Sequence, residues 1–115
     1  MEVFSFHNPT RILFGEGQIH ELGHDMKLDG ISKCLLIAGG GSLKENGAYG
    51  QITKSLSNAG ITLYESWGVQ ANPTLDKVRE IVTLAKSLAV DAVLAAGGGS
   101  VIDTAKAVAA GVYLH

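Results

Sequence analysis

The sequence has few cysteines, few prolines and no excess of charge of one sign, and each shortage excludes a class of protein. Its 115 residues include one cysteine and two prolines, and 9 basic against 11 acidic residues give a formal charge of −2. This near-neutral balance argues against a nucleic-acid or anionic-membrane surface. No apolar run approaches the roughly 18 residues of a membrane span, and no signal peptide is visible. We therefore expect a soluble cytoplasmic protein.

Glycine is abundant instead, with 15 residues in the chain. Hydrophobic residues make up 46% and charged residues 17%, a composition that excludes intrinsic disorder. The length predicts one domain at most. The lone cysteine, Cys34, lies in the apolar run 34–38, where we expect it to be a small buried hydrophobe.

Short apolar runs alternate with amphipathic segments after residue 30. This alternation predicts βαβ units, a mainly parallel sheet and helices on both of its faces, with ligands bound beyond the carboxyl ends of the strands. The expected strands are Lys33–Ala38, Ile61–Trp67 and Asp91–Ala96, each followed by a helix.

The predicted helices differ in the strength of their signals. A short helix over Ile19–Met26 contains Gly23, which should weaken it. The next helix is expected over Leu43–Ala59, and Asn72 is expected to cap the third. The apolar face expected for the third helix consists of Leu75, Val78, Val82, Ala85 and Leu88.

Two strands are followed by the same motif. Gly39-Gly40-Gly41-Ser42 follows the first predicted strand, and Gly97-Gly98-Gly99-Ser100 follows the third. Consecutive glycines let the backbone approach a ligand closely, and the helix behind offers free N–H groups suited to phosphate. The two segments could therefore hold the two ends of a dinucleotide.

The same residues have a purely structural alternative. Ser42-x-x-Glu45 and Ser100-x-x-Asp103 both match the capping box, which satisfies the N-terminus of a helix. Neither segment matches G-x-G-x-x-G or the P-loop. Glu65 stands where a ribose-binding acid could lie, but without the third glycine it is better interpreted as an exposed charge at a strand end.

His20-Glu21-Leu22-Gly23-His24 is a literal H-E-x-x-H. On a helix this spacing can bind zinc and activate water, so a small zinc hydrolase that uses His20, Glu21 and His24 is one alternative. The breaking effect of Gly23 and the surrounding α/β pattern favour a polar helix face instead.

Four motifs together resemble a known family. Pro9–Gly17, the two GGGS segments, Asn72-Pro73-Thr74 and the extension Val101-Ile102-Asp103-Thr104-Ala105-Lys106 are similar to the N-terminal part of the iron-containing (group III) alcohol dehydrogenases. The branch they resemble is that of the butanol dehydrogenases and broad aldehyde reductases. The resemblance implies a Rossmann-like NAD(P)-binding domain over residues 1–115. A helical domain that carries a divalent metal, Fe²⁺ or Zn²⁺, would lie outside this chain.

The resemblance also implies roles for single residues. Gly98, Gly99 and Ser100 would hold the pyrophosphate, Asp103 would lie on the nicotinamide side, and Asn72 would line the cleft. Gly40, Gly41 and Ser42 would face the adenosine ribose. Some relatives carry an aspartate at the position of Gly40 and prefer NAD, so its absence here leans toward NADP.

The implied reaction is hydride transfer between NAD(P)H and an aldehyde or alcohol. The resemblance implies a homodimer for the full-length protein and assigns neither catalytic residues nor metal ligands to this chain, which we expect to be inactive alone. A stand-alone, non-catalytic nucleotide-binding module is the second alternative.

Overall fold

The structure is a computed structural model that describes residues 12–13, 22–39, 45, 47–69, 74–96 and 99–114. Within these ranges, four strands alternate with four helices. The strands are β1 (Ile12–Leu13), β2 (Lys33–Ala38), β3 (Thr62–Ser66) and β4 (Ala92–Ala96), and the helices are α1 (Leu22–Leu28), α2 (Ala48–Asn58), α3 (Leu75–Leu88) and α4 (Gly99–Leu114).

The four strands form one sheet in the order β1-β4-β2-β3, and every pairing between them is parallel. The predicted parallel sheet is therefore confirmed. Strand β2 has the predicted bounds, and β3 and β4 differ from the prediction only at their ends. Short apolar runs bounded by turn residues predict such buried strands well, because a strand covered on both faces needs no polar alternation.

Side chains that alternate along the strands build a core on each face of the sheet. One core joins Leu35, Ile37, Val93 and Ala95 to α3 and α4. The other joins Cys34, Leu36, Ala92 and Leu94 to α1 and α2. Helices thus cover both faces, as the alternation of elements predicts.

Gly23 has a packing role that its low helix propensity conceals. It is buried where α1 crosses α2, and its N–H donates a 2.8 Å hydrogen bond to Ser55 Oγ. A Cβ at this position would overlap the carbonyl oxygen of Ser55 and lie 2.7 Å from its carbonyl carbon. The glycine therefore does not merely weaken α1: its missing side chain allows the two helices to approach.

The starts of α2 and α3 differ from the predicted ones. Gly47 precedes α2 with a φ of 82°, a left-handed conformation that ends helical geometry, so the helix that packs on the sheet begins at Ala48 and not at Leu43. Helix α3 begins at Leu75 because Thr74 caps it, with Thr74 Oγ1 accepting a hydrogen bond from the Lys77 N–H. The predicted cap at Asn72 is therefore wrong.

The predicted apolar face of α3 is confirmed at four of its five positions, is wrong at Leu75 and lacks Ile81. Ile81 and Ala85 are buried, and Val78, Val82 and Leu88 pack beside them. Leu75, the first residue of the helix, is instead 62% exposed. Ile81 fits the same 3–4 spacing and belongs to the face from which the prediction omitted it.

Asp91 joins the starts of two neighbouring strands. Its Oδ2 accepts hydrogen bonds from the Ser32 N–H at 2.9 Å, the Ser32 hydroxyl at 2.9 Å and the Lys33 N–H at 3.1 Å. Partial burial alone would raise the pKa of Asp91, but these hydrogen bonds and the charge of Lys33 outweigh it and lower the pKa below its ordinary value. The carboxylate therefore stabilises the pairing of β2 with β4.

Replacing Asp91 by asparagine should lower the free energy of unfolding by about 1–2 kcal/mol at pH 7, because a charged acceptor is lost. Since folding lowers the pKa of Asp91, its contribution is complete above the ordinary value of 3.8 and disappears as the pH falls through the folded value. Denaturant unfolding of both proteins at several pH values checks this. A difference in stability that stayed constant down to pH 2 would contradict it.

Cys34 is the small buried hydrophobe that the sequence predicts. The residue is fully buried, and desolvation raises the pKa of its thiol to about 12, against a smaller lowering effect of a hydrogen bond with the Leu94 backbone. A thiol that stays protonated at neutral pH is a poor nucleophile and a poor metal ligand. Cys34 therefore contributes to packing and not to chemistry.

Candidate nucleotide site at the carboxyl edge of the sheet

The two strands that precede the glycine segments are neighbours in the sheet. Strand β2 pairs with β4, and Ala38 lies opposite Ala96 at their last residues. Neighbouring strands lie about 4.8 Å apart. The ends of β2 and β4, which precede Gly39 and Gly97 in the sequence, therefore lie side by side on the carboxyl edge of the sheet.

The helices that follow β2 and β4 lie on opposite faces of the sheet. Helix α2 packs on one face through Ile52 and Leu56, whereas α4 packs on the other through Ala105 and Val108. When the chain leaves two adjacent parallel strands toward opposite faces, a crevice opens between them, and ligands of open α/β sheets bind there. The edge between β2 and β4 is such a position.

Gly39, which follows β2 directly, lies close to the start of α4 and to the loop after β3. A Cβ built on it would lie 3.4 Å from Val101 Cγ2 in the first turns of α4 and 3.4 Å from the Val69 carbonyl oxygen. The end of β2, the start of α4 and the loop after β3 therefore converge on one small residue. Without a side chain at residue 39, a ligand such as a phosphate could approach the backbone of Gly39 closely.

The N-terminal turn of α4 is suited to an anion. The helix begins at Gly99, and no acidic residue lies in its first turn. The N–H groups at the start of a helix carry a partial positive charge. Since α4 is 16 residues long, its dipole is fully developed at the crevice.

The capping-box alternative is wrong for the second glycine segment. Helix α4 begins one residue before Ser100, so Ser100 lies inside the helix, and Asp103 lies beyond its first turn. For the first glycine segment, Ser42 lies outside the described residues and Glu45 is helical, so the capping box Ser42-x-x-Glu45 stays a prediction.

The structure describes part of the site predicted from the sequence. It places Gly99 and Ser100 in the first two positions of α4, and Asp103 about one turn further on with an exposed side chain. The other predicted residues lie outside the described ranges; they are Gly40, Gly41, Ser42, Asn72 and Gly98. The described flanks of both glycine segments are nevertheless brought together.

A polar cluster beside the crevice was not anticipated from the sequence. Glu65 of β3 is exposed, as expected of a charge at a strand end, but its carboxylate is hydrogen-bonded on both oxygens. Tyr49 Oη donates to Glu65 Oε2 at 2.7 Å, and Trp67 Nε1 donates to Glu65 Oε1 at 2.8 Å. The Tyr49 and Trp67 rings meet edge to face with centroids 5.4 Å apart. We call these three residues the aromatic–carboxylate cluster.

The electrostatics of the cluster follow from its hydrogen bonds. The bond to Glu65, together with desolvation and the negative charge of Glu65, raises the pKa of Tyr49, so its hydroxyl stays protonated and donates. The i, i+2 spacing of Glu65 and Trp67 places them on one face of the extended chain and could have suggested this pair. No sequence signal links Tyr49 to Glu65.

The alternative metal site gains no support from the described part of the chain. His24 is exposed on α1, and His20 and Glu21 lie outside the described ranges. Among the described residues, no group of three or more His, Cys, Asp or Glu side chains could hold a metal ion. Nor is any helix in these ranges both long and apolar enough to cross a bilayer.

Known proteins match this chain over nearly all of its length. The family model described as iron-containing alcohol dehydrogenase matches residues 9–114. The probable NADH-dependent butanol dehydrogenase 2 of Bacillus subtilis is 46% identical over 97% of this chain and 28% of its own length. The NADPH-dependent aldehyde reductase YqhD of Escherichia coli is 38% identical over 96% of this chain and 27% of its own length.

A solved structure has the same fold. The crystal structure of NADH-dependent butanol dehydrogenase A from Thermotoga maritima superposes with a TM-score of 0.79 at 55% identity. The match covers 96% of this chain and 28% of that protein. The chain therefore spans less than a third of the length of these relatives.

Proposed function

Because the chain belongs to the iron-containing alcohol dehydrogenase family, we propose that it is the cofactor-binding part of an NAD(P)-dependent alcohol dehydrogenase or aldehyde reductase. The observation that carries the proposal is the pairing of β2 with β4, which starts both glycine segments at one point of the sheet edge. A dinucleotide has two separate polar regions, the pyrophosphate and the adenosine ribose, and two adjacent glycine segments suit them.

We further propose that residues 1–115 form the N-terminal NAD(P)-binding domain and that a helical, metal-binding domain completes the enzyme. The length of the relatives supports this division, because this chain matches about 28% of each of the butanol dehydrogenases. In this proposal, the metal ligands belong to that helical domain.

Two features of the described residues fit a bound dinucleotide. Gly39 leaves open the space that a Cβ would fill, and the first turn of α4 carries no acid that would repel a phosphate. Gly98, Gly99 and Ser100 would then hold the pyrophosphate, and Gly40, Gly41 and Ser42 the adenosine ribose. Asn72 and Asp103 would line the cleft toward the nicotinamide.

In this proposal, the chain contributes binding and orientation to the reaction. When bound, the nicotinamide cofactor would supply or accept the hydride, and a metal held outside this chain would provide a Lewis acid for the carbonyl oxygen. The start of α4 would fix the pyrophosphate, and the crevice between β2 and β4 would orient the dinucleotide across the sheet edge. We assign no proton transfer to any residue of this chain.

The choice between NADP and NAD is part of the proposal. The absence of an acidic side chain at Gly40 favours NADP, whereas the relatives of 43–46% identity are named NADH-dependent. The 38%-identical reductase is named NADPH-dependent. We therefore propose NADP or NAD as the cofactor and alcohols or aldehydes as the substrates. We also propose that the full-length enzyme is a homodimer in the cytoplasm.

Calorimetric titration of the chain with NADP⁺ and with NAD⁺ tests the proposal. We expect binding of at least one of them and no hydride transfer above background from NADPH or NADH to butyraldehyde. Binding without turnover is the expected result for this chain. Failure to bind either nucleotide would contradict the cofactor role, and turnover by this chain would contradict the division into two domains.

A further inference from the structure

A groove lies between α1 and α2, away from the candidate nucleotide site. It has a volume of about 350 Å³ and is lined by His24, Lys27, Ser55, Asn58 and Ala59. The first two residues belong to α1, and the other three lie in the last turn of α2 or directly after it. Since the chain continues from these helix ends into the starts of β2 and β3, the groove lies toward the amino edge of the sheet.

The contact between α1 and α2 forms one end of the groove. The Gly23 N–H donates its 2.8 Å hydrogen bond to Ser55 Oγ there, and the other lining residues follow these two along their helices. Lys27 extends across from α1 to the end of α2, because its Nζ lies 3.7 Å from a Cβ built on Gly60. Two helices that pack on the same core therefore form the walls of the groove.

The groove presents hydrogen-bond donors, and its five lining residues include no aspartate or glutamate. His24 and Lys27 are three residues apart, so they share one face of α1, and Asn58 lines the same groove from α2. Within the described ranges, none of these three side chains forms a hydrogen bond or an ion pair with another residue. Donors from two helices are therefore available to one ligand.

The carboxyl end of α2 is compatible with a negative ligand beside it. A helix carboxyl end carries a partial negative charge on its free carbonyls, but the carbonyls of residues 55–57 accept hydrogen bonds from the N–H groups of residues 59–61. Helix α2 has no basic residue in its last turn, so Lys27 brings a positive charge there from α1. This charge also stabilises the helix end, a structural role that the experiment below separates from binding.

We propose that the groove binds a phosphate group, with Lys27, His24 and Asn58 as its hydrogen-bond donors. Phosphate oxygens accept several hydrogen bonds at once, and a charged donor strengthens such bonds. The volume is at the lower end of the range for small-molecule sites, so the groove fits inorganic phosphate or the phosphate of a small monoester and not a dinucleotide. The proposal is independent of the nucleotide site, which lies at the opposite edge of the sheet.

An amide NMR titration of the chain in phosphate-free buffer locates the bound anion. Inorganic phosphate and glycerol phosphate are the probes, and sodium chloride at equal ionic strength is the blank. Because the three donors are exposed, we expect saturable shifts at residues 24–27 and 55–59 with a Kd on the order of millimolar. Binding of inorganic phosphate alone, or of both probes, supports the site and identifies the source of the phosphate group.

Lys27→Gln should weaken phosphate binding about tenfold, because a charge-assisted hydrogen bond is lost, and Asn58→Ala should weaken it about threefold. Lys54→Gln is the matched control, since it removes the same charge from an exposed position of α2 that does not line the groove. Its phosphate affinity should equal that of the parent chain.

Three results would overturn the proposal. One is a set of phosphate shifts confined to residues 97–103, and another is a set of shifts that chloride reproduces. The third is equal weakening by Lys27→Gln and Lys54→Gln, which would reduce the effect to general surface charge. Denaturant unfolding of each variant without phosphate is measured in parallel. Lower stability of Lys27→Gln with unchanged phosphate affinity would leave Lys27 with its structural role alone and would also contradict the proposal.

Discussion

Replacing Gly23 by alanine is expected to destabilise the chain by about 2–3 kcal/mol, at the upper end of overpacking effects. The added Cβ would overlap the Ser55 carbonyl, a backbone atom that cannot rotate away. Helix α1 would therefore have to move off α2, which also breaks the hydrogen bond from the Gly23 N–H to Ser55 Oγ. Chemical denaturation of the variant and of the parent chain measures the loss.

Gly50→Ala is the matched control for this prediction. Gly50 lies within α2, is exposed, and has no atom within 4 Å of a built Cβ. The same substitution should therefore stabilise the chain by about 0.5–1 kcal/mol through helix propensity alone. Equal effects of the two substitutions would show that α1 does not pack on α2 as described.

Replacing Gly39 by valine is expected to weaken dinucleotide binding by about ten- to hundredfold, the equivalent of an overpacking cost of 1–3 kcal/mol. A Cβ at this position would be in van der Waals contact with Val101 Cγ2 and the Val69 oxygen, each 3.4 Å away, so the two further methyl groups of valine should crowd these neighbours. They would separate the end of β2 from the start of α4. Calorimetry with NADP⁺ and NAD⁺ measures the loss.

Gly111→Ala separates a loss of binding from a general loss of stability. A Cβ on Gly111 would lie 2.8 Å from Val82 Cγ2, so this variant strains the contact of α3 with α4 far along the helix from Gly99. It should lower stability and leave affinity unchanged. If Gly111→Ala weakened binding as much as Gly39→Val, the crevice at Gly39 would have no particular role.

The fold was predictable because its strands are strongly marked in the sequence. The run Lys33–Ala38 has turn residues on both sides and no polar side chain after Lys33, so its bounds and burial follow from local information. The order of the strands does not. That β4 inserts between β1 and β2 depends on long-range packing, and this order places the two glycine segments together.

The errors at helix starts also have a physical origin. Asn72-Pro73 and Ser100-x-x-Asp103 are good N-terminal signals, yet Thr74 caps α3, and α4 already begins at Gly99. Several consecutive residues could cap each helix, and tertiary packing determines which of them does. The role of Gly23 also depends on tertiary packing. Helix propensity describes an isolated helix and contains no information about the contact with Ser55.

The glycine segments of the candidate site are recognisable in the sequence, whereas the aromatic–carboxylate cluster beside them is not. Gly39 and Gly97 are recognisable because they follow apolar strands. Tyr49, Glu65 and Trp67 come together only when β3 pairs with β2 and α2 covers the edge. Contacts between residues so far apart in the sequence carry no motif, so only the structure identifies them.

The most direct test of the central claim is an amide NMR titration of the chain with NADP⁺ and, separately, with NAD⁺. The account predicts shifts concentrated at residues 39–42 and 97–103 with at least one nucleotide, and none at Gly23 or Gly111. A stronger response to NADP⁺ would support the preference inferred from Gly40, and a stronger response to NAD⁺ would reverse it. If neither nucleotide shifted these two stretches, or if shifts appeared elsewhere instead, the carboxyl edge between β2 and β4 would not be the cofactor site.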